Sequence, residues 1–179
     1  MLLALPQRRA GGRAPVPDEA PGTWFPAEVA GVFAMDPGHR EIWRRAAPYL
    51  RVRDNDAHTL YAYGLARALC EAVPEADPGV VLPAILLHDT GWSQVPEELV
   101  LQAISPTGGR PDLVRWHERE GVRIAELIFG ELGYAPERVA EIVDIIADHD
   151  SMKEAKSAND ALVKDADKLW RLSPHGVDT

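Results

Sequence analysis

The chain has 179 residues, which suits one domain with a genuine hydrophobic core. It carries 28 acidic against 19 basic side chains, a formal charge of −9. That excludes a general binder of polymeric nucleic acid, which needs an excess of cations, but leaves room for a local basic pocket around a small phosphate. Apolar residues at 46% and charged residues at 26% exclude wholesale disorder and a collagen-like repeat.

Residues 1–26 hold five prolines (Pro6, Pro15, Pro17, Pro21, Pro26) and three glycines (Gly11, Gly12, Gly22). Such density blocks helix and ladder alike, so this stretch reads as an N-terminal arm, with Trp24 and Phe25 able to dock on the body. The opening apolar run is too short for a signal peptide, and its arginines follow rather than precede it. No run of about 18 apolar residues predicts a membrane span. Cys70, the one cysteine, can form neither an internal disulfide nor a cysteine-rich zinc site. It reads as a small hydrophobe packed on a helix. Together these features predict a cytoplasmic protein with no membrane partner.

From about residue 27 the pattern is helical. Asp36-Pro37 is an N-cap followed by proline at the first helical position, opening a helix to about residue 52. Asp54 caps the next, through about Val73, with His58, Ala62, Leu65 and Leu69 on one face. Asp77-Pro78 repeats the start signal. The run from Val80 to Leu87 is apolar on nearly all sides and predicts a central helix, ending at His88-Asp89 and broken by Thr90-Gly91. Pro96-Glu97-Glu98 starts a short helix, and Ser105 to Gly109 is a loop. A long helix follows from about Pro111 to Gly130, another from Pro136 to about His149, and the last begins near Asn159. This predicts an all-α, compact single-domain bundle of six or seven helices.

Four of the six histidines lie on apolar faces or at the ends of these helices: His58, His88, His117 and His149. One buried imidazole is usually a core residue bonded to a neighbour. Four converging in one core need a common partner, because a buried polar group without one is costly. A divalent ion satisfies them. Asp89 and Asp167 add carboxylates at matching places. Asp150 either orients His149 or begins the solvated stretch Asp150-Ser151-Met152-Lys153, and the solvated reading is preferred. His39 and His175 read as surface residues.

The order His58, then His88-Asp89, then Asp167 within Val163-Lys164-Asp165-Ala166-Asp167-Lys168-Leu169 resembles the HD-domain superfamily of metal-dependent phosphohydrolases. The resemblance covers roughly residues 36–171 and implies that residues 27–179 form an HD-type helical hydrolase domain. It implies that His58, His88, Asp89 and Asp167 ligate one metal. Members that bind two metals add two histidines between the pair and the final Asp, and His117-Glu118-Arg119-Glu120-Gly121 resembles their third motif. A second ion held by His117, His149 and a bridging Asp89 follows from this. The competing view has one metal, with those histidines on the substrate phosphate. Imidazole and carboxylate suit Mn, Fe, Co, Ni or Zn. Asp89 would bridge the ions or accept the proton of the attacking water, making it the catalytic candidate. Lys168 and Lys153 are the substrate-binding candidates, with Lys156 and Lys164 as further cations near the mouth.

Two departures bear on the substrate. Some relatives carry an arginine three residues before the first ligand, where this chain has Asn55, with Arg51 and Arg53 farther upstream. Several place a Glu, Lys or His three residues after the Asp of the pair, where this chain has Trp92. Trp92 reads chiefly as packing between helices, with stacking on a nucleobase the alternative. The expected activity is hydrolysis of a small phosphate ester, a nucleotide among the options, as phosphomonoesterase or phosphodiesterase. The alternative within the same superfamily is a mixed-valent di-iron oxygenase acting on a small hydroxylated or phosphonate substrate. A non-catalytic scaffold stapled by metal is a third class, disfavoured by the full ligand set. The oligomeric state is left open, a homodimer included.

Overall fold

A computed structural model describes residues 35–103, 109–173 and 176–177. The expected arm, residues 1–26, most of the Ser105–Gly109 loop and His175 lie outside the described residues. Those described form seven α-helices and no strand: α1 Pro37–Ala46, α2 Asn55–Ala72, α3 Pro78–Leu87, α4 Glu97–Ala103, α5 Pro111–Leu132, α6 Pro136–Ile146 and α7 Ala158–Leu169. None is long and apolar enough to cross a membrane.

The uniformly apolar run became the central helix. Every residue of α3 from Val80 to Leu87 is buried, and α1, α2, α5, α6 and α7 all pack against it. A helix without a polar face has no other stable place in a globular fold. Asp77 starts it as the sequence indicated, its carboxylate accepting the Gly79 N–H at 2.7 Å. Ser157 does the same for α7, accepting the Asp160 N–H at 3.1 Å. Trp43 of α1, Tyr63 of α2 and Phe129 of α5 fill the main core around α3.

Three local expectations were altered by specific groups. The first helix stops at Ala46 rather than about residue 52. It tightens into a 3-10 turn over Ala47–Tyr49, where Pro48 has no N–H to continue the ladder. Asp54 precedes α2 but caps nothing with its side chain, because it and Arg53 both lie in the left-handed region, at φ 59° and 52°. Such conformations cost a side-chain-bearing residue roughly 1–2 kcal/mol each. His39 is half-buried rather than a plain surface residue, with Nδ1 2.8 Å from the Tyr63 hydroxyl.

The sixth helix ends at Ile146, three residues short of His149. In a continued helix the Asp150 N–H would donate to Ile146 O. That carbonyl instead accepts from His149 Nδ1 at 2.9 Å. The Asp150 and Ser151 N–H groups donate to Glu118 Oε1 at 3.1 and 2.8 Å. The third helix ends by the same device, with His88 Nδ1 donating to Ile85 O at 2.8 Å. Each of these histidines thus sits in a turn just past a helix C-terminus and is followed by an aspartate.

Candidate metal centre

The rings at 58, 88, 117 and 149 meet at one place, the centre of the bundle. His58 comes from the first turn of α2, His117 from the second turn of α5, and His88 and His149 from the turns ending α3 and α6. Asp167 projects from the last turn of α7. All four histidines are at most 5% exposed. Their approach depends on Gly91. A Cβ there would lie 1.8 Å from the His117 carbonyl oxygen, so the 3-10 turn Thr90–Gln94 can rest on α5 only without a side chain at that position. Gly121, one turn further along α5, faces His88 O.

Two donor groups result. In the first, His58 Nε2 lies 3.2 Å from His88 Nε2 and 3.3 Å from Asp167 Oδ1, and His88 Nε2 is 3.5 Å from the same oxygen. In the second, His117 Nε2 lies 3.4 Å from His149 Nε2, and Asp150 Oδ2 is 3.5 and 3.8 Å from the two nitrogens. Asp89 joins them. Its Oδ2 faces His58 and His88 at 3.4 and 3.5 Å, and its Oδ1 faces His149 and His117 at 3.6 and 4.0 Å.

These residues fit metal ions on their own chemistry. A carbonyl can only accept, so His88 and His149 each hold a proton on Nδ1 and turn Nε2 inward, the nitrogen that takes a further proton in the metal-free protein or would take a metal ion. Lone pairs facing each other at such distances repel unless a cation lies between them. With metal–nitrogen bonds near 2.0–2.1 Å, neighbouring donors on a tetrahedron sit about 3.3–3.4 Å apart and on an octahedron about 2.9 Å apart. The spacings within the first group, and that between the two histidines of the second, lie in or close to this range.

The electrostatics of the metal-free protein say the same. Burial pushes the Asp167 carboxyl up, but hydrogen bonds from His58 and His88 outweigh it and hold the group well below its ordinary range. Asp89 is likewise held low, burial being overcome by His88 and His149. Burial pulls His149 down, yet Asp150 and Asp89 raise it to about 10. His88 is raised against burial by Asp89 and Asp167. His117 takes the opposite course, lowered to about 3 by burial and by the charge on His149. Buried carboxylates that stay ionised and imidazoles that hold protons mark a place that stabilises positive charge.

Each sequence-predicted ligand, His58, His88, Asp89, His117, His149 and Asp167, takes part. Asp150 differs from its expected solvated role, since its carboxylate joins the two Nε2 atoms of the second group. Burial raises its pKa. The lysines fall elsewhere. Lys153 and Lys168 are exposed and do not line the cavity over the site. Lys164 is buried against Asp160 at 2.8 Å, and Lys156 pairs with Asp144 and Asp148. Around that cavity, of about 150 Å³, the cations are Arg53 and Arg171.

Trp92 does more than pack. Its ring stacks on His117 at 3.8 Å between centroids and 8° between planes, and its Nε1–H donates to Asp89 Oδ1 at 3.1 Å. With one face taken by His117, the indole is built into the wall. Two further residues were not singled out from sequence. Glu118, 1% exposed, holds the turn that carries Asp150, and Trp170 meets the His58 ring edge-on at 4.6 Å.

A comparison with protein families matches the HD domain over residues 55–172. Neither a curated protein nor a solved structure matches the chain.

Proposed function

The chain belongs to the HD-domain family, a superfamily of metal-dependent hydrolases, and we propose that it is a phosphohydrolase cleaving a small phosphate ester with a metal-activated water. The observation that carries the reading is Asp89. One carboxylate presents a separate oxygen to each of two histidine pairs, an arrangement that suits two divalent ions. His58, His88, Asp89 and Asp167 would hold one ion, and His117, His149, Asp89 and Asp150 the other. Bound there, divalent ions supply hydroxide at neutral pH and neutralise charge developing on phosphoryl oxygens.

The chain's own residues supply the rest. The carbonyls of Ile85 and Ile146 fix the tautomer and ring plane of His88 and His149. Trp92 holds Asp89 Oδ1 and braces His117. The four imidazoles are closed off from bulk water, which strengthens every charge interaction among them. The cavity above them, about 150 Å³, is on the scale that holds one benzene-sized molecule and well below a drug-sized pocket. It suits a phosphoryl group with a small part of its ester.

Protein purified without chelator is expected to hold two equivalents of transition metal per chain, falling to one in His117→Ala. With Mn or Co it releases phosphate from generic esters, and Asp89→Ala abolishes release. One equivalent in wild type, unaltered in His117→Ala, would remove the second ion from this reading. Iron-dependent colour with substrate-dependent oxygen uptake would replace hydrolysis with oxygenation.

A further inference from the structure

Resting on the two-ion hydrolase reading, we propose that Arg53 and Arg171 form a clamp for the substrate's phosphoryl group and select phosphate monoesters over diesters. Both guanidinium-bearing residues line the cavity that opens on His58, Asp89, Asp150 and Asp167. They reach it from opposite ends of the domain sequence, Arg53 from the α1–α2 connection and Arg171 from the 3-10 turn after α7. Neither has an ion pair or hydrogen bond among the described residues, although the chain has an acidic excess with which most arginines could pair. Elsewhere Arg44, Arg45, Arg110, Arg123 and Arg138 are engaged with carboxylates, while the exposed Arg115 and Arg119 of α5, which do not line the cavity, are unpaired too among the described residues. Arg53 and Arg171 are both exposed, so water satisfies them in the free protein. What sets them apart is their place on the cavity, where they can exchange that water for an anion, and the planar fork of arginine matches phosphate oxygens two at a time.

The backbone at Arg53 points the same way. Its φ of 52° is a conformation that glycine adopts freely and arginine adopts at a cost. Strain of this kind collects at functional sites, where the side chain is needed in a place the relaxed backbone does not offer. The charge balance then separates substrate classes. Four carboxylates line the cavity (Asp54, Asp89, Asp150, Asp167) against the two arginines. Two divalent ions turn that lining from a net charge of about −2 to about +2. A monoester dianion neutralises it, whereas a diester monoanion leaves it half compensated and offers fewer charged oxygens to the forks.

The test uses full-length protein loaded with Mn. Inorganic phosphate binding is measured by calorimetry, and turnover with p-nitrophenyl phosphate and bis(p-nitrophenyl) phosphate. Arg53→Gln and Arg171→Gln are each expected to weaken phosphate binding by roughly tenfold, from loss of charge-assisted hydrogen bonds. The monoester KM should rise to match, with kcat changed less than threefold, metal content unchanged and the diester affected less. Arg53→Gly should melt no lower than wild type yet bind phosphate as poorly as Arg53→Gln, which separates the clamp from a folding role. Phosphate affinity within twofold of wild type in both Gln variants overturns the clamp, as does an equal loss toward both esters. If wild type hydrolyses neither ester, the hydrolase reading fails by itself, and the calorimetry still decides whether the arginines hold phosphate.

Discussion

At the scale of single residues, the centre depends on groups that never need to touch a substrate. Trp92 is the clearest. Its N–H donates to the Asp89 oxygen that faces the second histidine pair. In Trp92→Phe the ring still covers His117 but the donor is gone. The fold is expected to lose about 1–2 kcal/mol and the second group to bind metal 10–100-fold more weakly. Competition with a chelator of known affinity measures this, and an unchanged affinity would reduce Trp92 to packing. The histidines and Asp89 were legible in the sequence because each stands on or beside an apolar stripe where a polar side chain is out of place. Trp92, Trp170 and Glu118 were not, because their roles come from contacts across elements. Glu118 looks like any charged residue of α5 until the turn at Asp150 is laid over it. The lysines are placed away from the cavity for the converse reason. A cation close in sequence to a ligand need not face the same side of its helix, and Lys164 is spent on Asp160 instead.

At the scale of elements, helix starts were more legible than helix ends. Prolines and caps announce a start locally. The ends of α3 and α6 are set when an imidazole takes the carbonyl that the next helical N–H would have used. The sequence does carry a trace of this, since Ile85-Leu86-Leu87-His88-Asp89 and Ile146-Ala147-Asp148-His149-Asp150 share the spacing Ile-x-x-His-Asp. Seen as a repeated helix terminus, it puts Asp150 beside Asp89 in kind. Gly91 reads in sequence as a helix breaker, and its larger consequence is the contact between its turn and α5. Gly91→Ala therefore has to push that turn off the His117 carbonyl. A loss of about 1–3 kcal/mol or more is expected, with the second metal equivalent lost alongside. Thermal melting and metal analysis on the same preparation check it, and full metal content at wild-type stability would contradict the close packing.

At the scale of the whole molecule, stability, pH and metal are one equilibrium. In the metal-free fold His149 keeps its proton up to about pH 10, while an unfolded chain releases it near 6.5. The stability this adds is complete below 6.5 and disappears as pH climbs through 10, and His88, also raised, acts in the same sense. His117 refuses a proton down to about pH 3, so stability also falls as pH drops below 6.5. The depressed carboxyls of Asp89 and Asp167 extend that acid loss below about pH 4, with Asp150, raised by burial, opposing it in part. Metal-free protein is therefore expected to melt highest near pH 6.5 and lower on either side. A metal bound as proposed would displace the proton of His149, so loading should raise the melting temperature and flatten the alkaline side. Scanning fluorimetry across pH 5–9, with and without chelator, would show it. A metal-free melting temperature that rises steadily from pH 6.5 to 9 would contradict the charge assignment.

The helix termini carry one more consequence. α3 and α6 both finish at the centre and α7 delivers Asp167 from its last turn, so three helices direct the negative ends of their peptide dipoles inward. The carboxylates of an unloaded centre repel an arriving anion, and the first turn of α2, which brings His58 and Asn55 to the cavity with its positive end, offsets only part of that. On the proposed two-ion reading, cation would therefore load before anion.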